Sequence, residues 1–311
     1  MLRVAVPHAV EGLEALVVRS PGGALEAAFV PAAGMVGASL RHRGDELLGQ
    51  RRGVAAYAAS GDTMGIPLLH PWANRLSRDG YEAAGRSVAL PAAAPYLPRD
   101  ERGRPIHGIH GAGPWTVRDA GRSHLRAELR FADRPELLAA FPYPHRVVLD
   151  VRLDDAELRV RTTIVPLADR PVPVAFGFHP YLCLPGEPRA RWRLRLPAMR
   201  RLELDGRGIP TGRTLPFGPW RAALGRHTFD DCFEGVPRGA ALAVEGGGRR
   251  VAVRWCSGFP VAQVYAPADD DVVALEPMTA PVDALVSGRG LRTVPRGGAY
   301  EASFAITVED R

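Results

Sequence analysis

Between Val147 and Ile164 the apolar residues fall on every second position, twice over. Val147, Leu149, Val151 and Leu153 alternate with largely polar partners, Asp154-Asp155 reads as a turn, and Leu158, Val160, Thr162 and Ile164 alternate again. A repeat of two puts these side chains on one face of an extended chain, so the segment is expected to be a hairpin with one buried face. The same alternation recurs at Trp192, Leu194 and Leu196, at Val251, Val253 and Trp255, and at Phe304, Ile306 and Val308. Helical periodicity is scarce, and its one good candidate is the short stretch Arg134 to Ala140. The 34 glycines and 29 prolines are spread between the runs as turn punctuation. Many short strands with turns between them imply an all-β chain built as a large antiparallel β-sandwich.

No linker composition and no internal repeat breaks the chain. The Pro/Ala stretch Leu90 to Pro98 reads as a loop, so residues 1–311 are expected to form one domain. All-β sandwiches reach this length as single units, and a chain this long buries roughly 75% of the surface it exposes when unfolded. It needs no covalent staples. The three cysteines, Cys183, Cys232 and Cys256, are odd in number and never form a C-x-x-C pair. That argues against a disulfide framework or a zinc site and for a reducing compartment, hence a cytoplasmic protein. The first residues lack a basic head followed by an apolar run, and no stretch approaches the ~20 apolar residues of a spanning helix. Neither a signal peptide nor a membrane association is expected. The net charge is +6, and every basic side chain is arginine. The arginines are interleaved with acids along the chain, so no nucleic-acid partner is expected.

Five segments carry polar groups where a plain sandwich has no use for them. In GIPLLHPWANRL (65–76), Asn74-Arg75 follows a Pro-Trp turn; Asn74 can cap that turn and Arg75 can be a solvated charge or a ligand contact. In IHGIHGAGPW (106–115), His107 and His110 sit among glycines, which let a backbone approach a ligand closely. Their i, i+3 spacing suits a metal, but no third ligand is near in sequence, so neither metal nor organic cofactor is expected. In FGFHPY (176–181), Pro180 holds His179 extended, and histidine is the side chain suited to proton transfer near neutrality. FDDCF (229–233) places an acidic pair between aromatics. In DVVALEPMTAPVDAL (271–285), Glu276 is expected to end an apolar strand, just before Pro277, that is buried on both faces. A glutamate there is costly unless paired or used, and burial raises its pKa toward that of a useful base. Gln263 and Tyr265 share one face of the VAQVYAP strand, a lining of hydrogen bonder and aromatic that suits a sugar.

Taken in order, these segments resemble the aldose 1-epimerase, or galactose mutarotase-like, superfamily. PWANRL resembles its Asn-Arg segment, IHGIHGAGPW its His-Gly-rich segment, and FGFHPY the site of its second histidine. FDDCF resembles its aspartate before an aromatic, VYAP with ALEPMTAPVDAL its glutamate-centred motif, and FPYPHRVVLDVRL the strand entering the second half of the sandwich. The resemblance implies a galactose mutarotase-like supersandwich with an open cleft, no required metal, and interconversion of the α and β anomers of a free aldose. It implies that Glu276 is the base at the anomeric hydroxyl and His179 the acid at the ring oxygen. His107 is implied as the other active-site histidine, and Arg75, Asp230 and Asn74 as hydroxyl contacts. On this reading Glu276 and His179 face each other across one sugar, with the acidic limb of the pH profile from Glu276 and the basic limb from His179. Between Asp230 and Asp231, the first is preferred as the sugar contact. The partner expected is a monosaccharide, the assembly a monomer or homodimer. Two alternatives stay open: a 1-epimerase for hexose 6-phosphates or other acidic sugars, with Arg75, Arg78 and Arg104 flanking the relevant loops, and a non-catalytic carbohydrate-binding sandwich.

Overall fold

The expected hairpin is formed by His145–Leu153 and Glu157–Pro166, with Leu153 opposite Leu158 in an antiparallel ladder. Val147, Leu149, Val151, Val160 and Ile164 are buried while Arg152, Arg159 and Arg161 are exposed. The computed structural model describes residues 6–92, 94–110 and 115–311. Parts of two segments singled out above, Ala93 of the Pro/Ala loop and residues 111–114 of the His-Gly segment, lie outside the described residues, as do residues 1–5. The hairpin is central to a nine-stranded sheet. Its order is Trp220–Ala223, Arg193–Leu196, Ala241–Gly246, Arg249–Ser257, Tyr300–Asp310, Glu157–Pro166, His145–Leu153, His124–Arg130 and Thr116–Ala120.

A second sheet, of eight strands, faces it. Its order is Pro210–Phe217, Met199–Leu204, Phe229–Glu234, Val261–Ala266, Val273–Met278, Gly177–Phe178 and Leu68–Leu69, with Tyr181–Leu182 also paired to Val273–Met278. The two sheets meet in one apolar core, where the rings of Phe178 and Phe304 lie 4.9 Å apart and Val264 and Leu275 join Val253 and Ile306. Each such side chain, fully buried, contributes about 1.5–3 kcal/mol. A third, N-terminal sheet of five strands adds Phe29 and Leu40 to this core. On its other face Val30 and Ala38 pack with Val54 and Tyr57 of the helix Gly53–Ser60.

The short helix forms at Pro135–Ala140, with Arg134 as its N-cap residue and proline in its first turn, where the missing N–H costs nothing. The helix Gly53–Ser60 was not anticipated: its sequence GVAAYAAS is apolar almost all round and shows no periodic face. No helix among the described residues is long and apolar enough to cross a membrane. The strand expected to end at Glu276 instead runs from Val273 through Pro277 to Met278, with Met278 still opposite Val261. Proline's φ is compatible with an extended chain and removes only one donor from the ladder.

Candidate active site

Register brings the expected residues together on the eight-stranded sheet. Val273 and Leu275 point into the core between the sheets, so Ala274 and Glu276 point to the opposite face. Glu276 is opposite Gln263, and Gln263 is opposite Cys232. On the other side of the strand, Gly177 pairs with Met278 and Tyr181 with Ala274. The same antiparallel register puts His179, between them, opposite Glu276. The next row on this face holds Asp230, Tyr265, Ala274 and Tyr181.

His179 Nε2 and Glu276 Oε1 are 3.1 Å apart. This differs from the expectation that the two face each other across a sugar: His179, in the break between Gly177–Phe178 and Tyr181–Leu182, lies beside Glu276 of the adjoining strand and touches it directly. Both are buried, Glu276 at 1% exposure. Burial, and then the charge of Asp230, push the Glu276 carboxyl well above the usual range, with Arg75 pulling the other way. Burial, then His107 and Arg51, push His179 well below the usual imidazole value. Both shifts favour the uncharged pair, in which one proton is shared and the carboxylic acid donates to the imidazole. Among the described residues, Glu276 Oε2 has no hydrogen-bond partner.

The Asn74-Arg75 and His107 segments close over this row. Asn74 and His107 both adopt positive φ, at 59° and 61°, and the His107 N–H donates to the Asn74 carbonyl at 3.0 Å. Strained backbone of this kind is held only where its surroundings over-determine it. Gly108, beside His107, is required: a Cβ there would lie 2.3 Å from the His70 carbonyl oxygen. Asn74 is buried, and its Oδ1 accepts from the Arg75 backbone N–H at 2.8 Å and from the Arg75 guanidinium at 3.2 Å. Arg75 also donates through Nε to Asp100 Oδ2 at 3.2 Å, and its Nη1 lies 3.7 Å from Asp230 Oδ2. The guanidinium is thus braced by Asn74 and Asp100 rather than solvated. Burial works against ionised Asp100, but hydrogen bonds from Arg104 hold its carboxyl below the usual range. His107 is pushed down to about 3, by burial first and by Arg75 second, and its ring meets that of His179 edge-on at 5.5 Å.

Asn74, Arg75, His107, His179, Asp230, Tyr265 and Glu276 all line one cavity of about 320 Å³. Asp230, half exposed, accepts from Gln263 Nε2 at 2.6 Å. Gln263 itself is buried behind Asp230 and is not on the cavity wall, so the structure places it as a support for that aspartate. Asp231 points away, 3.5 Å from Arg201. His110 is likewise off the cavity, with Nε2 2.6 Å from the Pro95 carbonyl. Among the described residues no three His, Cys, Asp or Glu side chains are grouped to hold a metal ion.

Sequence reasoning missed one wall of the cavity. Tyr181 Oη lies 2.7 Å from both Arg51 Nη1 and Thr63 Oγ1, and all three line the cavity. Tyr181 stood inside a recognised motif and shares the face of His179 two residues on, which was a usable signal. Nothing in the local sequence of Arg51 or Thr63 sets them apart.

The family model for aldose 1-epimerase matches residues 28–307, a span that contains every residue of this cavity. The chain belongs to the aldose 1-epimerase family. A galactose mutarotase-like protein of Clostridium acetobutylicum superposes with a TM-score of 0.83 at 16% identity, over 100% of this chain and 99% of the other. A protein of Synechocystis sp. PCC 6803 does so at 0.78 and 21%, over the whole of both chains. One from Escherichia coli K12, named only as a candidate aldose 1-epimerase, gives 0.76 and 19%, over 96% of this chain and 99% of its own. At these identities the likeness is one of fold. No functionally curated sequence matches the chain significantly.

Proposed function

We propose that this protein is a mutarotase that interconverts the α and β anomers of a free, uncharged aldose. The observation that carries the reading is the buried His179–Glu276 contact, 3.1 Å long, in a polar cavity of monosaccharide size. Mutarotation takes a proton from the anomeric hydroxyl and delivers one to the ring oxygen. It then breaks the C–O bond, lets the aldehyde turn, and recloses the ring. The two oxygens hang on one carbon, so acid and base must stand within a few ångströms of each other. A hemiacetal entering the cavity offers its anomeric hydroxyl to Oε2 of Glu276, which has no other partner among the described residues. It offers its ring oxygen to His179 Nε2. The ionised form of the pair then serves as base and acid, the proton count of the pair is unchanged by ring opening, and the roles reverse on closure. A positioned base and acid each contribute about 10²–10⁴-fold.

The remaining wall suits binding. Arg75 and Asp230 present a donor and an acceptor to sugar hydroxyls, Asn74 and Gln263 hold those two in place, Tyr265 offers a ring face to C–H groups, and His107 stands beside the ring oxygen. The charges favour a neutral sugar over a phosphorylated or otherwise acidic one. Each arginine on the cavity wall already has an acid: Arg51 has Asp270, Arg52 has Asp62, Arg75 has Asp100 and Asp230, and Arg99 has Asp79. Of the other arginines considered for a phosphate clamp, Arg104 is committed to Asp100 and Arg78 does not line the cavity. The three free cysteines accord with a reducing, cytoplasmic setting. Anomer exchange followed by polarimetry or NMR over a panel of neutral and 6-phosphorylated aldoses tests the reading. Neutral sugars should turn over faster; exchange confined to phosphorylated ones would reverse the substrate assignment.

A further inference from the structure

A proton-transferring imidazole is ordinarily oriented through its second nitrogen, by a hydrogen bond to a carboxylate or a carbonyl. His179 lacks that arrangement. Its Nε2 meets Glu276, while Nδ1 is buried and, among the described residues, has no hydrogen-bond partner beyond a weak approach to the backbone of His179 itself. What surrounds the ring is aromatic. Tyr181 stacks on it with centroids 4.2 Å apart and planes 23° from parallel, and His107 and Tyr265 meet it edge-on at 5.5 Å and 5.9 Å. Stacking fixes the plane of a ring, and the Glu276 contact fixes its rotation within that plane.

Tyr181 is in turn held from all sides. Its backbone N–H donates to Gly65 and its carbonyl accepts from Gly49, each at 2.9 Å. Its Oη is held at 2.7 Å by both Arg51 and Thr63. The Arg51 guanidinium carbon lies 4.7 Å from the Tyr181 ring centre, and Arg51 Nε is fixed by Asp270 Oδ2 at 3.1 Å. A chain of contacts therefore runs from Asp270 through Arg51 and Tyr181 to the imidazole.

We propose that Tyr181, anchored by Arg51 and Thr63, is the positioning residue that sets the plane of the His179 ring, the task a hydrogen-bond acceptor performs for other catalytic imidazoles. The proposal rests on the reading of His179 as the acid. The groups facing His179 are Glu276, His107, Tyr181 and Tyr265, with Arg51 one layer further out. Of these, Tyr181 alone combines a parallel contact with a locked hydroxyl.

The test compares Tyr181→Phe, which keeps the stacked ring and loses the anchor, with Tyr181→Leu, which loses the stack. Anomer exchange is measured alongside the ¹⁵N and ¹³C signals of the His179 side chain. A misplacement of about 1 Å costs about 10²-fold, so kcat should fall by about that factor in Tyr181→Leu, with KM little changed. The loss in Tyr181→Phe should be much smaller. The His179 signals should shift or broaden in Tyr181→Leu and stay near wild type in Tyr181→Phe. A natively folded Tyr181→Leu with wild-type kcat and unmoved His179 signals would overturn the proposal, as would a Phe variant as impaired as the Leu variant. Should Tyr181→Leu not fold, Tyr181→Met removes the stacked ring in its place; wild-type kcat and unmoved His179 signals in it would count against the proposal in the same way. If the wild-type protein exchanges no anomers, the epimerase reading fails by itself, and the NMR comparison still decides what orients His179.

Discussion

Replacing Glu276 by glutamine should stabilise the protein, by an amount that grows with pH. The glutamate is 1% exposed, its Oε2 has no partner among the described residues, and its carboxyl is pushed well above the usual range by burial and by Asp230. A group whose folded-state pKa is raised contributes its full stability below the unfolded pKa, here about 4.3, and loses it as pH rises toward the folded value. Each pH unit in that window costs about 1.4 kcal/mol, so the penalty at pH 7 has a ceiling of about 4 kcal/mol. Glutamine carries no such penalty and can donate its amide to His179 Nε2. Urea unfolding at pH 4, 5, 6 and 7 should show wild type and Glu276→Gln nearly equal at the acid end. The variant should then gain stability steadily toward pH 7, within that ceiling. A variant less stable than wild type at neutral pH, or a difference independent of pH, would refute the assignment of a buried carboxyl with a raised pKa.

Two further outcomes follow from the site. Arg75→Ala should lower kcat/KM by about 10- to 100-fold, the equivalent of about 1.5–3 kcal/mol for hydrogen bonds to a charged group, chiefly through KM; Asp100 keeps Arg104, so the loop should hold, and unchanged kinetics would make Arg75 a structural brace only. The pH profile of kcat should be flat through neutrality. Its acid limb marks a second proton entering the pair at His179, whose pKa is lowered, and its basic limb the loss of the shared proton from Glu276, whose pKa is raised. This reverses the simple assignment of the acid limb to the glutamate, and an acid limb at the ordinary imidazole value would speak against the buried pair.

The strands were legible because a half-buried sheet writes its face into the sequence at every second residue, as from Val147 to Ile164. Glu276 was legible for the opposite reason: a charge in an apolar run is an anomaly that packing alone does not explain. The contact between Glu276 and His179 was not legible, since it depends on a register set by distant pairs such as Gly177 with Met278. The same holds for the wall of Arg51 and Thr63, whose local sequence is ordinary and whose place is set by Tyr181. Gln263 was recognised as facing the site, but alternation says which face a side chain takes and not what stands in front of it. Here that is Asp230.

The claim that Glu276 and His179 form one acid/base unit is tested most directly by anomer exchange in Glu276→Gln, measured together with sugar binding. The variant keeps the shape of the site and cannot accept the proton. In it kcat should fall by about 10²–10⁴-fold with sugar affinity little changed. His179→Asn should do likewise, and the double variant should be far less impaired than the product of the two, because both groups act in one transition state. Near wild-type exchange in a Glu276→Gln protein that binds sugar normally would contradict the account and leave a carbohydrate-binding sandwich in its place.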